Sequence, residues 1–544
     1  MNIHILSFSF FKKKSLACLG TSAIIGMVLS ILQALLVNDK VRSIFTLGPS
    51  PRLYMYGLIG LSFLFGICFY TTVVFCIRLL FQRNQVFLSY LKYFLVYFLI
   101  LGILFLLVWP GIFKGDEFYV LRSALSFQLS PAQTGLTSCF YIICLLFFPN
   151  PATITFMQIL IICCIFSYIM KNLFSIYRSK KVWLMLLPFC LLPVLDGNLF
   201  TLRATLVGWL FLLVLFQVFF AYKKGTLSLG TGLFLSALSG LIIAWRTEYI
   251  YLLLLLPAAL WFLRLFSLKR ACISLMVIGL SFLCFQIPNK IAANGSNKYP
   301  ISLVINPLGN LFNEEHLEGP NVYEDILTLN ELIDVQRLRR DASVRNISQY
   351  WNIPDVLPKE QLNRFMAAAL RLIVYNFDDF LKYRCLTFAH TNGFFPDEIN
   401  HPGGEMVSGI LELKYYDTNF KEVFPFLEPP FGQAARKKVI EFLSCRHYVQ
   451  GESTTNIFLP VFYNCLPAFI LLAIATLTGV FLGKKAFVVL SLLIQVQLVL
   501  IFLTAPAMFF MYYYCFYLCG YAFVGLFFID GLCSRNVYEA RNKA

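Results

Sequence analysis

A chain of 544 residues with 59% apolar, 17% aromatic and only 13% charged side chains is not a soluble globular protein, since soluble domains carry about 25% charged residues. The net charge of +16 suggests nucleic acid until it is split by region: residues 289–456 hold 21 of the 28 acids and 17 of the 44 bases. The apolar remainder keeps 27 bases against 7 acids, an excess that an anionic lipid leaflet attracts, so membrane lipids are expected partners and nucleic acid is not.

Lys12, Lys13 and Lys14 precede an apolar run that reaches Val37 without a small-residue cleavage pattern. This predicts a retained first helix, not a cleaved secretory signal. Segments of about 18 apolar residues or more are long enough to cross a hydrocarbon core. The pattern predicts spans over 16–37, 54–80, 87–109, 152–174, 182–195, 199–221, 229–246, 249–266, 271–288, 457–482, 486–503 and 507–530. Leu136–Phe148, bracketed by Pro131 and Pro149, is too short to cross and is assigned to the interface. The expected fold class is therefore an all-α polytopic membrane protein of about twelve transmembrane helices. It comprises a transmembrane domain (1–288) with an outer interface segment (110–150), a mainly helical and irregular extracytoplasmic domain (289–456), and C-terminal helices with a short cytoplasmic tail (457–544).

Lysine and arginine set the orientation. With Leu136–Phe148 at the interface, Arg78, Lys171, Lys180, Lys181, Lys223, Lys224, Lys269, Lys484 and Lys485 fall on one side. By the positive-inside rule that side is cytoplasmic, with both termini, in a cell membrane. Most of the sixteen cysteines lie in apolar segments, such as Cys163, Cys164 and Cys515, with no zinc-like spacing. Cys385 and Cys445 share segment 289–456 and are the pair an oxidising compartment could join, although free thiols are the default expectation.

Of the seven acids outside 289–456, five fall on the outer side: Asp39, Asp116, Glu117, Asp196 and Glu248. Arg122, Arg203 and Arg246 join them there. Ionisable groups at a membrane boundary need water, a partner or a ligand, so this convergence predicts an outward-facing polar site. Pro110-Gly111 ends the third span and places Asp116 and Glu117 just beyond it. A carboxylate there suits a general base acting on an acceptor hydroxyl; acids solvating a loop are the plain alternative. Arg203 follows Leu195-Asp196-Gly197-Asn198, and Arg246 opens Arg246-Thr247-Glu248. Guanidinium forks bind phosphate oxygens bidentately, so Arg203, Arg246 and Arg122 are the donor-phosphate candidates, with Asp196 and Glu248 supporting. The alternatives are an Arg246–Glu248 pair or arginines reaching lipid phosphates.

Glu398, His401 and Glu405 lie close in sequence but lack metal-ligand spacing. No metal ligands are assigned and no cofactor is required, a divalent ion being the one option kept open. There is no phosphate-binding loop and no nucleophile elbow.

On these residues the chain resembles the GT-C class of integral membrane glycosyltransferases, over about residues 87–290 and the last two helices. The resemblance is carried by Pro110-Gly111 with Asp116, by Ser130-Pro131-Ala132-Gln133-Thr134, by Arg203 and the Arg246–Glu248 turn, and by Ala505-Pro506-Ala507 before Met511–Tyr514. It implies that Asp116 acts as base or metal ligand and that basic residues hold a polyprenyl phosphate. The implied activity is transfer of a sugar from a polyprenyl-phosphate-linked donor to an extracytoplasmic glycan or lipid acceptor, with Glu117 a substitute base. Two features depart from the family pattern: Met511-Tyr512 stands where many relatives carry Arg-Tyr, and two additional helices precede Asp116. Three other readings accompany it. A lipid-linked oligosaccharide polymerase or ligase would rely on Arg337, Arg339 and Arg340 with a histidine. A transporter or flippase of lipid-linked sugars would place charges near helix centres. A non-catalytic scaffold would bind a partner through 289–456.

Overall fold

The computed structural model describes residues 13–45, 52–113, 115–130, 133–312, 316–340, 348–394, 424, 426–449, 452–455 and 458–542. Three long helices open the chain, α1 (Lys13–Ile44), α2 (Arg52–Phe81) and α3 (Gln85–Leu107), followed by the short α4 (Gly115–Leu125) and α5 (Gly135–Phe147). Then come α6 (Ala152–Tyr177), α7 (Leu186–Phe189), α8 (Leu192–Leu199), α9 (Arg203–Lys224), α10 (Leu229–Trp245), α11 (Leu252–Phe262) and α12 (Leu268–Ala293). A module between spans holds α13 (Tyr299–Leu311), α14 (Val322–Asn330), α15 (Val335–Arg340), α16 (Lys359–Tyr375), α17 (Phe377–Thr391), α18 (Gly432–Ser444) and the antiparallel hairpin β1 (Arg446–Val449)–β2 (Glu452–Thr455). The chain returns to the bundle through α19 (Leu459–Phe462), α20 (Leu466–Phe481), α21 (Lys485–Thr504) and α22 (Phe510–Asn542).

The chain is a multi-pass membrane protein. Among the described residues nine helical stretches are long and apolar enough to cross a bilayer, or ten if one bent pair counts as a span. This is fewer than the twelve expected. The segment 182–195 falls on a broken element, Lys180–Phe189 followed by Leu192–Leu199, bent by 65°. Pro193 opens α8 at its first turn and cannot continue a helix from before it. The expected spans 229–246 and 249–266 are short helices, the second carrying Pro257 inside it. Apolar runs report burial; they do not by themselves say whether lipid or protein covers them.

α6, α9 and α22 are the most enclosed spans, packed around Trp209, Phe166 and Tyr517. α1, α2 and α12 instead present exposed leucines such as Leu35, Leu64 and Leu280. Two glycines set close helix approaches of the kind small residues permit. A Cβ on Gly26 would lie 2.6 Å from the Thr71 amide nitrogen, and one on Gly240 would lie 2.7 Å from the Ile278 carbonyl oxygen. At the end of the bundle rich in lysine, Asp530 accepts from Lys223 at 2.9 Å, Lys484 at 2.8 Å and the Tyr177 hydroxyl at 2.8 Å.

The module has its own core of Ile305, Leu308, Leu338, Phe365 and Leu372. It is fastened to the opposite end of the bundle, the module end, by two arginines that are each 1% exposed. Arg384 of α17 donates to the carbonyls of Phe502 (2.7 Å) and Ala505 (2.9 Å). Arg436 of α18 donates to those of Trp109 and Gly111, both at 3.2 Å. The Phe502 and Ala505 carbonyls lie at the C-terminal end of α21, where a helix leaves acceptors unpaired and carries partial negative charge, and those of Trp109 and Gly111 lie in the turn that follows α3. Cys385 is exposed and Cys445 buried, and both are free thiols.

Candidate functional site

At the module end, α4 carries Asp116 and Glu117 in its first turn, where the helix dipole favours carboxylates. Successive helical residues are about 100° apart, so the two acids part company: Asp116 is exposed and Glu117 is fully buried. Glu117 accepts a hydrogen bond from the Gln133 side-chain amide. Arg122, six residues after Asp116 and thus about 240° round the helix, is exposed and makes no ion pair among the described residues.

Arg203 opens α9 and donates to the Gln133 carbonyl at 3.0 Å. A cation at the positive end of a helix dipole is unfavourable unless an anion shares the position. Glu248 supplies that charge, for it feels both Arg203 and Arg246. Arg246, at the C-terminus of α10 and 4% exposed, pairs directly with Glu248. Burial alone raises the Glu248 carboxyl; the two guanidiniums more than offset this and hold it below the ordinary carboxylate range. The Nε–H of Arg246 and the Oε1 of Gln133 have no hydrogen-bond partner among the described residues.

The half-buried Tyr512, in the first turn of α22, sits in the combined field of Asp116, Arg203, Tyr299 and Arg246. Asp116, Arg203 and Arg246 thus all act electrostatically on one aromatic ring at the module end, and Glu248 is paired with one of them, Arg246. Arg122 is not among them.

Nor is Asp196. Its turn lies within α8, buried under α18, and it accepts from the Tyr463 hydroxyl at 3.2 Å. The single Tyr463 O–H is shared between Asp196 and the nearer Leu443 carbonyl, 2.6 Å away, so this hydroxyl joins module to bundle. Beside it, Asn198 is wholly buried. Its Oδ1 accepts from Trp209 (2.8 Å) and Tyr514 (3.2 Å), and its Nδ2 donates to the Tyr97 hydroxyl (2.9 Å). Gly197 has no room for a side chain, since a Cβ would sit 2.3 Å from the Tyr514 ring.

Sequence reasoning missed the residues that hold the site. Gln133 ties α4 to α9, and its carbonyl also accepts from Thr137, which in turn accepts from Trp245 Nε1 at 2.9 Å. Asn289 accepts from the Leu136 amide at 3.2 Å and donates to the Ala244 carbonyl at 2.7 Å, binding α5 to α10 and α12. The available signal was a lone amide at the end of an apolar run.

Among the described residues no group of three or more His, Cys, Asp or Glu gathers to hold a metal. Glu398, His401 and Glu405 lie outside the described residues. The arrangement combines the partly exposed Arg203 at the start of α9, the buried Arg246 already paired with Glu248, and the accessible carboxylate of Asp116. That combination suits departure of a phosphate and proton removal from an incoming hydroxyl. Comparison with known proteins finds no matching family model, no similar curated protein and no similar solved structure.

Proposed function

We propose that the chain is a membrane glycosyltransferase of the GT-C type. It transfers a sugar from a polyprenyl-phosphate-linked donor to a glycan or lipid acceptor of the cell envelope. The module end faces the extracytoplasmic side, and the lysine-rich end, with both termini, lies in the cytoplasm of a cell-membrane protein; the positive-inside excess supports this orientation.

The supporting observation is that Asp116, Arg203 and Arg246 all act electrostatically on Tyr512, with Arg246 paired to Glu248. Asp116 takes the proton from the acceptor hydroxyl as its oxygen bonds to the anomeric carbon. The bond from that carbon to the phosphate oxygen breaks, and the electron pair leaves with the lipid phosphate. Arg203 and Arg246 stabilise the charge gathering there, an effect strongest where water is scarce. One displacement of this kind inverts the anomeric configuration. Glu117, buried against Gln133, is poorly placed to reach an acceptor. Arg337, Arg339 and Arg340, which a polymerase would use, stand exposed on α15 and take no part in the field at Tyr512.

The test uses the purified full chain with a panel of radiolabelled undecaprenyl-phosphate hexoses and cell-envelope acceptors. Asp116→Asn is expected to lower turnover by about 10² or more, the usual size of a general-base contribution, while undecaprenyl phosphate still binds. Arg203→Gln should weaken that binding. Full turnover in the Asp116→Asn variant removes the base assignment, and no transfer with any donor removes the reading as a whole.

A further inference from the structure

On α17, Phe377, Leu381, Arg384 and Phe388 recur at four, three and four residues and therefore share one face. The C-terminal half of that face is docked. Arg384 holds the carbonyls at the end of α21, and the Phe388 ring lies 6.0 Å from Phe502 and 5.3 Å from Tyr513. Among the described residues the N-terminal half is only partly covered: Phe377, stacked on Phe380 at 5.9 Å, is 50% exposed and Leu381 38%. At the end of α16, just before the break at Asn376, Val374 and Leu370 are also exposed, 67% and 51%.

What lies beneath follows from α21. Its 20 residues begin beside Lys484 and Lys485 and span about 30 Å, the thickness of the hydrocarbon core. Its far end is therefore at the opposite hydrocarbon boundary, and Arg384 is fixed at that level. The outward stripe of α21 runs through Leu492 and Val499, both about half exposed. Its next member, Leu503, packs against the core of the module. The module thus meets α21 on the side that faces lipid. From Arg384 back to Phe377 is about 10 Å along the helix.

We infer that the face of Leu370, Val374, Phe377 and Leu381 rests in the bilayer, in the leaflet on the module side, as an interfacial anchor. The occupant is lipid because the same helix face docks, through Arg384 and Phe388, on the end of a spanning helix whose side carries the exposed Leu492 and Val499. An apolar patch of this kind left in water would be unusual for a soluble surface. Its companions fit an in-plane amphipathic helix, since Asp378 and Lys382 stand exposed beside it.

The experiment reconstitutes the full chain in phosphatidylcholine–phosphatidylglycerol vesicles containing a lipid with a diazirine on its acyl chain, then maps adducts by mass spectrometry. Val499 reports lipid contact, and the Arg339–Arg340 segment reports water. Adducts at Phe377–Leu381 are expected within about threefold of the Val499 yield and about tenfold above Arg339–Arg340, as for a helix buried in the headgroup–acyl boundary. The double substitution F377N/L381N should lower the yield on α17 while leaving that at Val499 unchanged. Labelling of Val499 without labelling of α17 overturns the inference. So does protein–protein cross-linking through this face, which would assign it to a second copy. Neither result depends on the sugar-transfer reading.

Discussion

At the scale of single residues, the pair of Arg246 and Glu248 determines how the polar end of the bundle behaves when no ligand is bound. Glu248 balances a guanidinium that is almost wholly enclosed. Removing one partner of a buried pair leaves the other without compensation and costs about 3 kcal/mol or more. Glu248→Gln is therefore expected to lower the thermal midpoint in detergent, and added undecaprenyl phosphate should restore part of the loss by supplying the missing anion. Acid should do the same to the parent protein. The carboxyl is held below its ordinary value by Arg246 and Arg203 against the opposing effect of burial. Its contribution is complete above the unfolded pKa, about 4.3, and disappears as pH falls through the folded one. Thermal melts from pH 7 to pH 3 should show this acid loss in the parent and a flatter profile in Glu248→Gln. Gly135 has a different constraint. A Cβ there would fall 2.1 Å from the Pro288 carbonyl oxygen, a backbone atom with little freedom to move. Gly135→Ala should displace the interface segment that carries Gln133 and cost about 1–3 kcal/mol, read as a lower melting temperature.

At the scale of elements, the long spans were legible because each is a sustained apolar run, and the Arg246–Glu248 turn because charges punctuate one. Three things were not. α8 looked like an exposed turn, since Asp196, Gly197 and Asn198 are ordinary turn residues. Their burial depends on Tyr463 and Tyr514, more than 260 positions away. Arg384 and Arg436 resembled surface charges in a polar segment. Only the end of α21 and the turn after α3, brought beneath them by folding, make them caps. That Tyr512 feels Asp116 and two arginines was not legible either, because nothing local to α22 signals it. The two capping arginines lead to a test. Arg436→Leu keeps bulk but returns the Trp109 and Gly111 carbonyls to an unsatisfied state, a penalty of about 1–3 kcal/mol for each buried group. The module should then loosen at α18, seen as faster protease cleavage between α17 and α20 while the spanning helices stay intact.

At the scale of the whole molecule, charge is sorted by end. One end gathers lysines, and Asp530 draws Lys223, Lys484 and Tyr177 together, joining α9, α22, α6 and the turn before α21. Asp530→Asn should separate these helices: two cations would face each other with no anion between them, and the purified protein should lose several degrees of thermal stability. The other end gathers the acids and arginines of the site beneath the module. The module is inserted late in the chain, between α12 and α19, and three spans come after it.

That order has a consequence for how the protein is made. The buried amide of Asn198 is completed by a hydroxyl on Tyr514, 316 residues further on. At about 5–20 residues per second, the ribosome takes roughly 15–60 seconds to supply it. Throughout that interval Asn198 can hold Trp209 and Tyr97 but lacks its third partner. A message cut short before α22 would leave a membrane intermediate in which that hydrogen bond is never made.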